Sequence, residues 1–405
     1  MSSAQSHGIP EDPLLTIEIT EPGIGLEGYV CIHAVGRVGA AGGIRCVRDV
    51  SKTEVQLLAR AMTYKYAFFD VPRGGAKMGL RVGYEVSAEE KRNLIRAAAR
   101  HLEPVLRRGS FWSPWGDMNF HNDELQVFFG AIGLEFTPDK THNSSFRTAV
   151  STFWSLQSVL KHRGLAPDMA TVSIEGFGSV VSYLTPLLAG LGVKVVAVTN
   201  RIGGVLNRHG LDSARMVAMQ EQYGDEWVEQ GGDWERISHD DLFHVPADIL
   251  MPSARVHSLN AERARTIPVR VLLPIANVPC SDEAVVILEE RGIDVMPDYV
   301  VNGGGMMGHI RGADDAFGGV FMDMLGRMLR AARNTDRPVR MLADDVAHAS
   351  FPRIADEAYV KDGRAMELLK SLSDRGLMPK SVVRRIQKSS AERIYERVRT
   401  LFNEP

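Results

Sequence analysis

Cysteine is scarce in this chain. The three present, Cys31, Cys46 and Cys280, are too few and too scattered for a disulfide framework or a tetrahedral zinc site. His33, His121 and His142 lack metal-ligand spacing as well, so no metal is expected. No uninterrupted apolar run approaches the roughly 20 residues that a membrane-spanning helix needs. The opening MSSAQSHGIPEDP carries no apolar stretch of the kind that directs secretion. Charge of one sign is missing too: the formal net charge is -3, so no overall field draws the chain to nucleic acid or an anionic membrane. A basic, amphipathic stretch at 380–402 reads as a solvated surface helix. These absences leave a soluble, cytoplasmic protein as the expectation.

What is present suits a folded core. Apolar residues make up 44% and charged residues 24% of 405, enough chain for two domains. A strand is expected over 28–35, then a helix over 51–69 with Val55, Leu58 and Met62 on one stripe. Pro72-Arg-Gly-Gly breaks that helix, and 78–82 reads as the next strand. Ser87 with Glu90 forms a capping-box pattern ahead of a helix reaching about Arg107. A second unit starts with a helix over 147–162, a strand over 170–175, a glycine turn, a helix over 180–189 and a strand over 193–199. Further strands are expected at 248–251, 269–274 and 294–296. The fold class is therefore α/β with two domains, over 1–145 and 146–314. The largely helical segment 315–405 is expected to pack back on the first domain.

Gly176-Phe177-Gly178 falls between a strand and a helix, where a dinucleotide fingerprint belongs. Two glycines allow a tight turn and a close approach to pyrophosphate, whose charge meets the helix N-terminus at Ser179 and Val180. A turn without ligand is the plainer alternative. The third small position holds Val181, which suggests a helix set farther from its strand. At the end of the second strand, where an acidic residue usually takes the adenine-ribose hydroxyls, the sequence reads Thr199-Asn200-Arg201. Asn200 removes a repelling charge and Arg201 offers a cation, so the reading is NAD or NADP with a lean to NADP.

Lys65 continues the apolar stripe of its helix, and an ammonium there calls for an anion or for snorkelling to water. Lys77 follows Gly74-Gly75-Ala76, read as a turn on which a desolvated lysine would lose basicity; an ordinary surface turn is the alternative. Asp117 stands in Trp112-Ser-Pro-Trp-Gly-Asp117, framed by two tryptophans, or else acts as a simple helix cap.

At these residues the sequence resembles the glutamate/leucine/phenylalanine/valine dehydrogenase family. The matching text is Gly42-Gly43-Ile44-Arg45, Met62-Thr63-Tyr64-Lys65, Pro72-Arg-Gly-Gly-Ala-Lys77-Met-Gly79 and Pro114-Trp-Gly-Asp117. Gly176-Phe-Gly178, Ala276-Asn277-Val-Pro279 and Pro297-Asp-Tyr-Val-Val-Asn302-Gly-Gly-Gly follow in family order. The resemblance implies an NAD(P)-dependent L-amino-acid dehydrogenase and a homo-oligomer, with an N-terminal α/β substrate domain over 1–145 and a Rossmann-type dinucleotide-binding domain over 146–314. It implies that Lys65, with backbone near Gly42, Gly43 and Met62, binds the substrate α-carboxylate. Lys77 would activate the water, Asp117 would shuttle protons at the substrate nitrogen, and two lysines would thus flank one aspartate. Thr148 and Asn277 would contact the nicotinamide end, and Asn302 would help close the site.

The sequence also departs from the family. Ala41 replaces the lysine that holds a side-chain carboxylate in the glutamate-specific branch, and His309 aligns with that branch's serine. Neither offers a fixed positive charge, so a neutral, bulky amino acid or its 2-oxo acid is the expected substrate. Met118-Asn119-Phe120 replaces a small Gly-Thr-like pair, and Pro274-Ile275 replaces acidic and small residues. Two alternatives stay open: reduction of a preformed imine or another specialised metabolite, and a non-catalytic nucleotide-binding paralogue. Ammonia dependence of turnover separates the first of these from deamination.

Overall fold

The computed structural model of the protein describes residues 8–112, 116–136, 143–307, 312–314 and 316–355. They fall into two compact units. One runs up to His142 and takes in the chain from Asp344; the other holds Asn143–Ala343.

The first unit is built on a mixed sheet of β1 (Leu15–Glu21), β2 (Leu26–Ile32), β3 (Ala40–Ala41), β4 (Ile44–Cys46), β5 (Gly74–Leu80) and β6 (Phe111–Trp112). Its order is β1-β2-β5-β3-β6, with β4 also paired to β5. The alternating LTIEITE of β1 forms a hairpin with β2 in unbroken register, Leu15 opposite Ile32 through Glu21 opposite Leu26. Helix α1 (Lys52–Phe68) begins where the Ser51 side chain accepts the Glu54 N–H at 3.1 Å. The capping box at Ser87 and Glu90 is present and opens α2 (Ala88–His101). The helix expected to reach Arg107 is in fact two. It stops at Leu102, and α3 (Glu103–Arg107) restarts with Pro104, which has no N–H to continue the ladder. Helix α4 (Asn122–Gly130) and α2 cover a core of Val30, Ile32, Met78, Leu80, Ile95, Phe111 and Phe128.

Strand β5 corrects the expected turn at 74–77. Its even residues Ala76, Met78 and Leu80 enter that core, while Gly75, Lys77 and Gly79 face the other way. A Cβ on Gly75 would stand 2.2 Å from the Ala59 carbonyl oxygen and from the Thr63 nitrogen of α1. The glycine run is therefore strand under a closely pressed helix, not a break between elements. Lys77 sits inside a sheet.

The second unit holds a seven-stranded sheet of order β10-β9-β8-β7-β11-β12-β13. Its strands are β7 (Thr171–Glu175), β8 (Lys194–Thr199), β9 (Gly204–Leu206), β10 (Glu235–Ile237), β11 (Ile249–Pro252), β12 (Val271–Leu272) and β13 (Asp294–Val295). β8, β7, β11, β12 and β13 run parallel; β9 and β10 extend the edge antiparallel. From β7 the chain winds out through β8 and then returns to β11 on the other side. The C-terminal ends of β7 and β11 thus flank the switch point where such sheets bind ligands. Helices α5 (Ser144–Arg163), α6 (Ser179–Leu191), α7 (Ser213–Tyr223), α8 (Ala261–Thr266), α9 (Asp282–Glu290) and α10 (Asp298–Val301) accompany it. Helix α11 (Ala316–Thr335) packs on α5, with Trp154 against Phe321 at 5.8 Å, so this part of the segment after 315 belongs to the second unit. In α12 (Val339–Ala355), His348 and Arg353 lie with the first unit, bonded to Ile9, Tyr64 and Asp70. The stretch at 380–402 lies outside the described residues. Among the described residues, no helix is long and apolar enough to cross a membrane.

Candidate active site

Lys77 projects from the middle of β5 into a buried cluster of charge. Its Nζ lies 2.7 Å from Oδ2 of Asp117, and Nε of Arg45, from β4, reaches the same oxygen at 2.9 Å. Arg45 also pairs through Nη1 with Glu54, on the first turn of α1. The other carboxylate oxygen of Asp117, Oδ1, accepts no hydrogen bond among the described residues. Asp117 keeps 21% side-chain exposure, against 4% for Lys77 and 5% for Arg45. This is the one member of the cluster that opens outward.

The charges set each other's ionisation. Burial lowers the Lys77 ammonium below the ordinary lysine value, Asp117 opposes this and Arg45 adds to it. Burial alone would raise the Asp117 carboxyl, but Arg45 and Lys77 more than offset it and hold the group far below the usual carboxylate range. Arg45 is itself kept fully protonated, because Asp117 and Glu54 outweigh its desolvation. The second cation on Asp117 is thus an arginine, where the sequence suggested a second lysine. Arg45 and Glu54 were not among the expected site residues. Their signal was an arginine between Ile44 and Cys46 in a buried strand, which requires an anion.

Glycine lets these groups converge. A Cβ on Gly42 would lie 1.7 Å from the Ala76 carbonyl oxygen of β5. One on Gly43 would lie 3.1 Å from the Asp117 Cβ and 3.4 Å from the Lys77 Nζ, so Gly43 lines the cluster. Ala41 is fully buried in β3, paired with Gly75 and Trp112. Met62 and Lys65 are both buried on α1. Trp112 packs on Phe129 at 4.5 Å, and the second framing tryptophan, Trp115, lies outside the described residues, as does His309. Asp117 is flanked by the Lys77 and Arg45 cations. Asn119 explains part of the departure after it: with φ 53 it takes the left-handed corner of the turn that returns Phe120 N–H to the Asp117 carbonyl. Its Oδ1 accepts from Lys91 at 3.1 Å.

In the second unit, Gly176 has φ 87, a backbone shape suited to glycine, beside the Ser253 carbonyl at the end of β11. Gly178 caps α6, and a Cβ there would meet nothing within 4 Å. Ser179 is exposed and Val180 half-buried on the first turn of α6, where backbone N–H groups have no intrahelical partner. Phe177 is buried against Trp227, and Val181, on the first turn of α6, is fully buried. This open helix N-terminus suits a pyrophosphate. Glu175, just before the turn, is buried, receives the Ser258 hydroxyl at 2.7 Å and is pushed up to about 7 by burial, with Ser258 and Arg263 opposing.

Asn302 and Asn277 come together, Nδ2 of the first donating to Oδ1 of the second at 3.1 Å. The Asn302 Oδ1 is buried with no partner among the described residues, an acceptor that a carboxamide would satisfy. Thr148 is half-buried on α5, and a Cβ on Gly305 would meet its hydroxyl at 2.6 Å. Asn200 and Arg201, from which the sequence leaned to NADP, are both engaged: Asn200 with the Asp225 backbone and Arg201 with the Asp225 carboxylate. No cluster of His, Cys, Asp and Glu among the described residues is arranged to hold a metal ion.

Residues 17–132 match the family model "Glu/Leu/Phe/Val dehydrogenase, dimerisation domain", and residues 142–309 match "Glutamate/Leucine/Phenylalanine/Valine dehydrogenase". The chain is similar to a glutamate dehydrogenase of Thermotoga maritima, 32% identical over 297 residues, covering 69% of this chain and 70% of the relative. Further relatives carry names specific to NADP and to NAD. Among solved structures, a hetero-hexameric glutamate dehydrogenase from Thermus thermophilus superposes with a TM-score of 0.72 at 22% identity, over 84% of this chain and 89% of that one. The L-tryptophan dehydrogenase of Nostoc punctiforme gives 0.57 at 19% identity, over 85% and 97%.

Proposed function

The chain belongs to the glutamate/leucine/phenylalanine/valine dehydrogenase family, and on that premise we propose that it reversibly deaminates a neutral, bulky L-amino acid. Amino acid, water and NAD(P)+ give 2-oxo acid, ammonium, NAD(P)H and a proton. A nicotinamide dinucleotide, when bound, would supply the acceptor for the Cα hydride. The roles of this chain's own residues follow from their placement. Lys65, buried on α1, holds the α-carboxylate, the role that its place in Met62-Thr63-Tyr64-Lys65 implies. Asp117 takes and returns the proton of the substrate nitrogen through Oδ1, its unengaged oxygen. Lys77, made less basic by burial, reaches its neutral amine form readily and in that form takes the proton of the water that attacks the iminium carbon. Arg45, anchored by Glu54, holds Asp117 in place and with Lys77 keeps its resting carboxyl ionised.

What supports these roles is the geometry at Asp117: two cations on Oδ2 at 2.7 and 2.9 Å, and Oδ1 left to the substrate. For the substrate side chain, Ala41 supplies no cation. A dicarboxylic substrate would lose the hydration of its second carboxylate there, at a cost of several kcal/mol. The Thermotoga maritima relative is named for glutamate and the Nostoc punctiforme structure for tryptophan, so substrate choice within this fold varies. We further infer a homo-oligomer and NAD or NADP as cofactor. A panel of glutamate, leucine, phenylalanine and tryptophan, run with both dinucleotides at neutral and alkaline pH, tests the proposal. Higher kcat/KM for a neutral amino acid is the expected outcome. A glutamate preference throughout would overturn the substrate assignment.

A further inference from the structure

The end of β8 lacks the acidic residue that takes the adenine-ribose hydroxyls in sheets of this kind. Asn200 does not replace it, because its amide is folded back on the chain. Its Oδ1 accepts the Ile202 and Gly203 N–H groups at 2.9 and 3.3 Å, and its Nδ2 donates to the Asp225 carbonyl at 2.7 Å. Arg201 donates through Nε and Nη2 to Oδ2 of Asp225, at 2.6 and 2.5 Å. A carboxylate is thus present at this place after all, delivered from another segment. Asp225 lies in the short 3-10 turn Gly224–Glu229.

Two contacts hold that turn at the adenosine end of the dinucleotide region. Trp227 packs on Phe177, the middle residue of the glycine turn, with ring centroids 5.4 Å apart. The Asp225 backbone ties down Asn200 at the strand end. The Asp225 side chain keeps 18% exposure, and its Oδ1 has no partner among the described residues. Arg201, by contrast, is 65% exposed and already paired.

We propose that Asp225 makes this chain select NAD over NADP. Oδ1 accepts the 2′-hydroxyl of the adenine ribose, while the carboxylate both occupies the Arg201 guanidinium and repels a 2′-phosphate. Arg201 on its own would point to NADP; the pair reverses that sign. The inference rests on the dehydrogenase reading only in requiring that the chain bind a nicotinamide dinucleotide.

Fluorescence titration of the full chain with NADH and with NADPH, without amino acid, tests it. The native protein should prefer NADH by at least about tenfold, equivalent to about 1.4 kcal/mol. Asp225→Asn should erase that preference, chiefly by tightening NADPH as Arg201 becomes available to the phosphate. Arg201→Ala, which leaves the carboxylate in place, should retain the preference and guards against a variant that fails to fold. A native preference for NADPH, an unchanged ratio in Asp225→Asn, or loss of preference in Arg201→Ala overturns the proposal. Absence of turnover on every amino acid would sink the dehydrogenase reading and leave the selectivity standing. Binding of neither dinucleotide would sink both.

Discussion

The Asp117 cluster and the turn at Gly176–Gly178 handle charge in opposite ways. Around Asp117 the protein buries its own charges and pairs them, so two cations and two carboxylates stabilise one another beneath α1. The glycine turn itself carries no charged side chain and presents backbone N–H groups at an open helix end. Glycine serves both, for contrary reasons. At Gly42 the space is filled to the last ångström by β5; at Gly178 it is empty. A site that must move protons needs fixed, mutually tuned side chains. A site that must admit a charged ligand needs room and unpaired backbone.

The contrast can be broken most severely at its charged end. Lys77→Ala should lower kcat by about 10²–10⁴, the usual range for a positioned acid–base group, while dinucleotide binding survives. Steady-state kinetics beside cofactor titration read this, and a near-native kcat would remove Lys77 from the chemistry. The two glycines sharpen the comparison next. Gly42→Ala must displace the backbone of β5 and should cost about 3 kcal/mol of stability or more. Gly178→Ala meets no neighbour and should cost about 1 kcal/mol as a poorer helix cap, yet weaken dinucleotide binding. Urea denaturation of both variants decides; equal destabilisation would contradict the packing described.

Glu175 gives a smaller, pH-dependent effect, because burial there outweighs the opposing Ser258 hydroxyl and Arg263 charge. Its folded value of about 7 lies above the ordinary 4.5, so the folded state holds the extra proton. Stability from this group is complete below pH 4.5 and is lost as pH rises through 7. The loss is at most about 3 kcal/mol, at about 1.4 kcal/mol per pH unit. Glu175→Gln should flatten that part of the stability profile. Parallel profiles for the two proteins across this window would show that Glu175 is not so desolvated.

Much of the scaffold was legible in the sequence, and the reasons are local. The caps at Ser51 and Ser87, the glycine turn and the parallel strands around it follow from short-range pattern. Lys77 and Asp117 were singled out, but Lys77 was placed on a turn. A Gly-Gly pair reads as a break unless one knows that a helix presses on it, and that contact joins residues far apart in sequence. The Arg45–Glu54 and Arg201–Asp225 pairs escaped for the same reason: each links two elements, the second across 24 residues. Charge pairing between elements has no period to betray it.

The crowding along β5 also bears on how such a protein changes over generations. At Gly42 and Gly75 any side chain would strike backbone, at 1.7 and 2.2 Å, and backbone has no rotamer to yield. Mutation at these positions meets a wall, and relief requires moving β5 or α1 itself. A substitution is absorbed more easily where the facing atoms belong to a flexible side chain, so the ground beneath Lys77 is the least adjustable part of this unit's sheet.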